Sequence, residues 1–157
     1  MADKTFSVPN QKWFKEKDLL LEFPAEWDVV PCLMNGHSAP ELTRIRIDAA
    51  FAAPVDSPRL SELARGKKRV AIIFDDMSRP TPIRMLLPHV FNELHAAGIP
   101  DTSIRFVCAA GCHGAHTYQD FEKKLAQIYS TAFLSITTTS TRTALTLERH
   151  PRALNFV

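Results

Sequence analysis

The sequence predicts an α/β protein with a three-layer, mainly parallel sheet whose strands are joined by crossover helices. The continuous apolar run at residues 70–74 is typical of a parallel strand buried on both faces, and residues 103–109 predict a second buried strand. Between them, apolar residues recur at helical spacing from residue 83 to residue 94, and Gly98 ends that pattern. The order strand, loop, helix, strand, loop, helix is that of right-handed crossover units.

The elements before the first buried run are shorter. Residues 19–23, followed by a proline, predict a strand, and residues 27–33 form a second strand-like run. Residues 34–40 contain an Asn-Gly pair and a proline, which indicates a turn or loop.

Two further helices are predicted from their terminal residues. In the segment 54–66, Ser57 precedes Pro58, and a glycine closes the segment, so we expect a short helix with Ser57 as its N-cap. After the second buried run, residues 118–125 predict another helix, with Thr117 as its N-cap.

Composition narrows the class of partner. The 19 basic and 17 acidic residues leave a formal charge of only +2, which gives no general attraction to nucleic acid or to a membrane surface. The apolar run at residues 70–74 is far too short to cross a bilayer, and residues 1–11 have no apolar region typical of a secretory signal. We therefore expect neither a nucleic-acid nor a membrane partner, and the oligomeric state stays open.

The cysteines are few and odd in number, namely Cys32, Cys108 and Cys112. This usage favours reduced thiols in a cytoplasmic protein. Cys108 and Cys112, together with His113 and His116, are an alternative set of metal ligands. Two cysteines four apart without a second pair are a weak metal signal, so ordinary small side chains are the preferred interpretation.

The least ordinary polar residues lie in two loops that follow the buried strands. Residues 75–80 contain Asp76 and Arg79, and residues 111–117 contain His113. Ligands of open parallel sheets bind beyond the carboxyl ends of the strands, so we expect these three side chains to converge. The Arg79 guanidinium suits bidentate binding of a carboxylate, Asp76 suits a substrate hydroxyl or a neighbouring base, and His113 suits proton transfer near neutral pH.

Simpler interpretations stay open at this point. One alternative is that Asp75 or Asp76 only caps the next helix and pairs with Arg79, and another is that His113 is a solvated loop residue. A phosphatase-type aspartate nucleophile is disfavoured because the expected second aspartate two positions on is missing. An unrelated α/β nucleotide-binding domain is a further alternative, but no glycine-rich phosphate loop supports it. The remaining histidines are expected to be surface or packing residues: His37, His89, His95 and His116.

The motifs in their order resemble the nickel-dependent lactate racemase family over residues 18–125. Residues 63–67 read Leu-Ala-Arg-Gly-Lys, and residues 76–82 read Asp-Met-Ser-Arg-Pro-Thr-Pro. After the long helical pattern, residues 111–113 read Gly-Cys-His, and Thr117 follows.

That resemblance implies a 2-hydroxyacid racemase or sugar-acid epimerase that uses a nickel-pincer nucleotide. In such a protein the cofactor takes a hydride from the substrate carbon while a histidine removes the hydroxyl proton. His113 matches one of two acid–base histidines, Arg79 the carboxylate-binding arginine, and Asp76 the aspartate of the same motif. Gly114 departs from the arginine, followed by proline, that the racemases proper often carry, so the choice among lactate, other hydroxyacids and aldonates stays open.

The same resemblance implies parts that have no match here, namely the covalent cofactor lysine, the second catalytic histidine and the nickel-ligating histidine. We assign no cofactor-binding or metal residues to this chain and expect it to be inactive alone. The alternative is a non-catalytic carboxylate-binding or regulatory module.

Three regions are predicted: an amino-terminal extension over residues 1–17, the racemase-like domain over residues 18–125, and a tail over residues 126–157. The tail contains no Gly, Asp or Lys and has a threonine cluster at residues 137–143. Back-translation read in another register yields family-like protein. We therefore predict that the tail is an out-of-frame translation that is poorly ordered and has no place in the core.

Overall fold

The computed structural model describes residues 4–10, 13–14, 17–114, 116–126, 129 and 134–137, and it divides into two units, Met1–Thr43 and Arg44–Val157. In the first unit, strand β1 (Lys4–Val8) pairs antiparallel with strand β2 (Leu19–Phe23). Lys4 stands opposite Phe23, and the ring of Phe6 packs edge-on against the ring of Phe23 with 5.8 Å between the centroids.

The strand at residues 19–23 is thus confirmed, while β1 was not predicted. It lies in the segment assigned to an amino-terminal extension, so strand pairing crosses the boundary placed at residue 17. The prediction of a strand over residues 27–33 is wrong, because those residues form a turn and irregular backbone. Pro31 in the middle of the run has no amide hydrogen to donate to a sheet.

The second unit contains a three-stranded sheet in the order β3-β4-β5, and every pairing in it is parallel. The α/β class with a parallel sheet and helices is therefore confirmed. Its elements in chain order are α1 (Arg44–Ala52), α2 (Leu60–Ala64), β3 (Val70–Asp75), a 3₁₀ turn (Ile83–Met85), α3 (Leu87–Ala96), a 3₁₀ turn (Asp101–Ser103), β4 (Ile104–Ala109), α4 (Tyr118–Leu125) and β5 (Leu134–Thr137).

Helix α2 is confirmed, but its predicted cap is wrong. The N-cap residue is Arg59, without a side-chain cap, and the hydroxyl of Ser57 donates to the carbonyl of Pro58 at 3.1 Å. A carboxylate from α3 takes over the local role, because Glu93 Oε2 accepts from the amide of Ser61 at 3.0 Å. A tertiary contact here replaces the local hydrogen bond expected from sequence.

The long helical pattern is confirmed with a division. It begins as the 3₁₀ turn, continues as α3, and ends where Gly98 adopts a φ of +79°, a conformation that costs glycine little. Helix α1 was not predicted. Its apolar residues do not gather on one face of the helix, and Ile47 is its one buried residue among those described.

The core lies on one face of the sheet. Phe74, Ile104, Phe106 and Cys108 alternate into it and are at most 4% exposed. On the opposite face Ile73 is 70% exposed. The expectation that residues 70–74 are buried on both faces is therefore wrong: β3 is an edge strand, and Phe91 of α3 and Phe121 of α4 pack on the buried face.

Part of the predicted tail enters this structure. Tyr129 is 5% exposed, with its ring centroid 5.1 Å from that of Phe91, and β5 pairs with β4. The tail was expected to have no place in the core, and these positions differ from that expectation. A short apolar segment can pair through its backbone whatever its origin. Residues 138–157 lie outside the described residues, and the out-of-frame origin stays a prediction. No helix in the described part of the chain is long and apolar enough to cross a membrane.

Candidate active site

The loop after β3, residues 75–81, is here named the aspartate loop. Asp76 is only 3% exposed, and its Oδ1 accepts from the amide of Ser78 at 3.1 Å and from the Ser78 hydroxyl at 2.6 Å. An aspartate that bonds the backbone two residues on is a common way to close a tight turn. Asp76 therefore shapes the loop as well as carrying a charge.

The loop after β4, residues 110–117, is named the histidine loop. It turns at Gly111, whose φ of +59° favours glycine, and the amide of His113 donates to the carbonyl of Ala110 at 3.0 Å. Thr117 then starts α4 through a capping box: its hydroxyl accepts from the Asp120 amide at 3.2 Å, while the Asp120 carboxylate accepts from the Thr117 amide at 2.9 Å. The predicted N-cap is confirmed.

The parallel pairing of β3 and β4 brings the two loops together. Asp75 stands opposite Ala109, so each loop leaves the sheet beside the other. Across this junction His113 Nδ1 donates to Asp76 Oδ2. The Asp76 carboxylate is buried, whereas the His113 side chain is 48% exposed.

The electrostatics of this pair fix its hydrogen-bond direction. Burial disfavours the charged form of Asp76, but hydrogen bonds from Ser78 and His113 outweigh burial and hold the pKa of Asp76 well below its usual range. Because the ionised carboxylate can only accept, Nδ1 carries the shared hydrogen. Nε2 is then the ring nitrogen left to take a proton from a ligand.

Arg79 lies in the aspartate loop, three residues after Asp76. Its amide donates to the carbonyl of Asp76 at 3.2 Å, and its side chain is exposed. The structure thus brings Asp76 and His113 into direct contact and places Arg79 in the same loop. The substrate-binding roles of Asp76 and Arg79 and the catalytic role of His113 stay predictions.

The helix-capping alternative for the two aspartates is wrong. The 3₁₀ turn after the loop has Pro82 at its N-cap, α3 has Leu86, and neither has a side-chain cap. Asp75 instead accepts from the Thr81 hydroxyl at 2.6 Å, within the loop itself. The two aspartates therefore organise the loop and not the following helix.

His116 was assigned to surface or packing, and the structure adds it to the site. Its Nε2 lies 3.5 Å from Asp76 Oδ2, is buried, and makes no hydrogen bond to the residues that the structure describes. Its ring packs edge-on against Phe121 with 6.0 Å between centroids. Asp76 therefore lies between two imidazoles, and only the spacing of three residues from His113 hinted at this.

Lys124 is the second residue that sequence reasoning missed. Its side chain is fully buried, and its ammonium reaches the main chain of the aspartate loop. A signal was present, because Lys124 lies on the apolar face of α4 with Phe121 and Leu125, three residues before and one after it, and both of them are buried. Lysines are rarely fully buried without partners.

The cysteines near the site are free thiols of opposite exposure. Cys108 is buried in the sheet, and burial raises its pKa to about 11, whereas Cys112 in the histidine loop is exposed. Within the described ranges, no group of three or more His, Cys, Asp or Glu side chains is arranged to hold a metal ion. The metal interpretation of these cysteines gains no support from their placement.

Comparisons with known proteins show which family the chain resembles. A family model described as the lactate racemase N-terminal domain matches residues 14–150, a range that extends beyond the boundary predicted at residue 125. Lactate racemases of Lactiplantibacillus plantarum and Thermoanaerobacterium thermosaccharolyticum are 32% and 31% identical over 81 residues, which are 52% of this chain and 19% of each relative.

One solved structure has the same fold. The lactate racemase apoprotein from Thermoanaerobacterium thermosaccharolyticum superposes with a TM-score of 0.57 at 23% identity, over 83% of this chain and 29% of that chain. The chain therefore spans less than a third of that structure, and its alignment covers about a fifth of the length of each curated relative.

Proposed function

Because this chain belongs to the lactate racemase N-terminal domain family, we propose that it forms the hydroxyacid-binding half of a nickel-pincer-dependent racemase or epimerase site. The observation that supports this proposal is the contact between buried Asp76 and half-exposed His113. A buried carboxylate that orients an exposed imidazole is the arrangement that general acid–base chemistry needs.

In this proposal His113 exchanges the proton of the substrate hydroxyl. Asp76 holds Nδ1, so Nε2 is directed to the ligand as a neutral base. When Nε2 takes the proton, the adjacent carboxylate stabilises the resulting imidazolium. His116 is a second imidazole beside the same carboxylate, 3.5 Å from Oδ2, and belongs to the electrostatic surroundings of the pair.

Arg79 binds the substrate carboxylate. Its guanidinium stays charged at any relevant pH and offers a planar pair of donors to two carboxylate oxygens. Its main chain is held on both sides, by the Asp76 carbonyl at its amide and by the Lys124 ammonium at its carbonyl. A fixed main chain restricts where the guanidinium can reach.

The described residues do not fit the nickel-pincer nucleotide on their own. The one fully buried lysine among them, Lys124, is already engaged by Asp75 and two carbonyls, and no group of three His, Cys, Asp or Glu side chains among these residues is arranged to hold a metal ion. We therefore derive no step through that cofactor. A racemase of this kind must hold both a proton acceptor and a hydride acceptor at defined positions, and the described residues present the first alone, so we also propose that the chain alone does not turn over substrate.

Binding of lactate to the full chain, followed by NMR titration, tests this proposal. Arg79→Ala should weaken lactate binding about 10- to 100-fold, because a charge-assisted contact is worth about 1.5–3 kcal/mol. Arg84→Ala is the matched control, since Arg84 is an exposed arginine of the neighbouring 3₁₀ turn. His113→Ala should also weaken lactate binding, because Nε2 of His113 is the atom proposed to contact the substrate hydroxyl.

The controls decide what a result means. Propionate, which lacks the hydroxyl, should bind more weakly than lactate if His113 contacts that group. Equal weakening by Arg79→Ala and Arg84→Ala would show only a loss of general positive charge. Lactate binding that is unchanged in Arg79→Ala would contradict the carboxylate site.

A further inference from the structure

Lys124 is a buried charge that the proposed chemistry does not use. It lies on α4, its side chain has no exposed surface, and its Nζ is directed at one short stretch of the aspartate loop. Nζ donates to the carbonyl of Asp76 and, at 3.0 Å, to the carbonyl of Arg79, and it lies 3.1 Å from Asp75 Oδ1. An ammonium has three hydrogens to donate, and three acceptors of this loop lie within reach.

The desolvation free energy of the buried Lys124 ammonium indicates that this residue does more than fill the core. Moving a charged ammonium out of water is expensive, and replacing a buried ion pair by apolar side chains is often neutral or stabilising. The neighbouring positions on this face of α4, Phe121 and Leu125, are apolar and pack in the core. An apolar residue at position 124 would suit the core equally well and would leave the loop carbonyls without this donor.

The two carbonyls that Lys124 binds bracket the functional segment. They belong to Asp76 and Arg79, the first and last residues of the stretch that carries the carboxylate and the guanidinium. The amide of Arg79 also donates to the Asp76 carbonyl at 3.2 Å, so Lys124 caps a turn that is already closed. A shift of this turn would move both side chains relative to His113.

Helix α4 joins the two loops through its own ends. Its first turn is held by the capping box of Thr117 and Asp120, which ends the histidine loop. Lys124, seven residues after Thr117 and two turns along the same side of the helix, is bound to the aspartate loop. One rigid element therefore fixes the separation of the loops.

We propose that Lys124 is a positioning residue. It fixes the position of the aspartate loop relative to the histidine loop, so that Arg79 and the Asp76–His113 pair can bind the same ligand. This inference rests on the proposed function. Lys124 itself touches no ligand, because it is fully buried.

The test compares Lys124→Met with wild type in the full chain. Methionine keeps the length of the side chain and removes the charge and the donors. We expect lactate affinity to fall about tenfold or more, since small misplacements of binding groups are costly. We also expect the ¹⁵N shifts of His113 to report a smaller population of the tautomer with hydrogen on Nδ1, because Asp76 is no longer held opposite the ring.

Three variants separate positioning from stability. Lys123→Met removes an exposed lysine next to Lys124 and should leave affinity and tautomer unchanged. Ile104→Val weakens the core at the far end of β4, about 16 Å from the loops at the rise of a strand, and should lower the melting temperature alone. Asp75→Asn keeps Lys124 and replaces its carboxylate partner with a neutral amide, and should shift the tautomer in the same direction by a smaller amount.

The outcomes are distinguishable. If wild type does not bind lactate, the proposed function fails, while the His113 tautomer still tests Lys124. If wild type binds lactate and Lys124→Met keeps both affinity and tautomer, the positioning role is overturned. If Lys124→Met does not fold, Asp75→Asn decides: no change in the tautomer or affinity overturns the inference.

Discussion

The aspartate loop and the histidine loop contribute to the same contact in opposite ways. The aspartate loop is anchored: Asp76 is 3% exposed, and Ser78, Thr81 and Lys124 all donate hydrogen bonds within it or to it. The histidine loop is open to solvent, with Gly111, Cys112, His113 and Gly114 all exposed. A buried, anchored charge therefore faces a ring that solvent and ligands can reach.

This difference shows how a buried carboxylate can fix the tautomer of a histidine at the surface. The carboxylate that decides the tautomer is held by its own loop, so it does not need to reorganise when the ring takes a proton. The ring stays accessible because its loop turns at glycine, and near the ends of the loop the Ala110 carbonyl accepts from the His113 amide and Thr117 caps α4. Orientation comes from the buried partner and access comes from the exposed one.

The largest expected effect comes from removing the charge of the anchored loop. Asp76→Asn keeps the shape but removes the charge and turns amide hydrogens toward one of the two donors, Ser78 or His113, so we expect a loss of about 3 kcal/mol in the free energy of unfolding. Urea unfolding at neutral pH measures it. His113→Ala, the matched change in the exposed loop, should cost clearly less. Equal losses of stability in the two variants would contradict the contrast between an anchored aspartate loop and an open histidine loop.

The same variant should have a defined pH dependence. The pKa of Asp76 is lowered in the folded state, so its stabilisation is fully present above the unfolded pKa of about 3.9 and is lost as the pH falls toward the folded value. The stability difference between wild type and Asp76→Asn should therefore narrow below about pH 4. Glu93, whose pKa Arg59 and Ser61 lower to about 2, is present in both proteins and cancels. A constant difference down to about pH 2 would contradict the assignment.

A smaller effect, this time a gain in the free energy of unfolding, is expected from a substitution at the end of α4. Ala126 follows α4 with a φ of +72° and a ψ of 149°, a conformation that favours glycine. Ala126→Gly should raise the free energy of unfolding by about 1 kcal/mol and leave the His113 tautomer unchanged. Ala96→Gly in the last turn of α3 is the control and should destabilise by a similar amount. A loss in both variants would show that Ala126 is not strained.

The smallest effect is expected inside the exposed loop. Cys112→Ser should change the free energy of unfolding by less than about 0.5 kcal/mol, because Cys112 is exposed. A thiol reagent should react rapidly with Cys32 and Cys112 in wild type and slowly with Cys108, which is buried and has a pKa of about 11. Rapid modification of Cys32 with slow modification of Cys112 would mean that the histidine loop is less open than described.

Much of the second unit was predictable because its signals are local. The strand patterns of β3 and β4, the helical spacing before Gly98 and the Thr117 cap each depend on residues close in sequence. The meeting of Asp76 and His113 followed from one general rule, that parallel strands direct their following loops to the same edge.

The errors share a different cause. Ser57 does not cap α2, because Glu93 from α3 satisfies the Ser61 amide. Strand β1 needs a partner fifteen residues away to exist, since Lys4–Val8 pairs with Leu19–Phe23. The exposure of Ile73 depends on which face the helices cover, and an apolar run does not record that.

By itself the sequence determined the α/β class, the family resemblance and the identity of the two loops, because strand and helix periodicity and short motifs are written in neighbouring residues. Only the tertiary structure decided that Asp76 is buried and charged, that His116 lies beside it, and that Lys124 reaches across from α4. Those facts depend on which groups lose their water when separate elements pack, and desolvation is a property of the assembled fold.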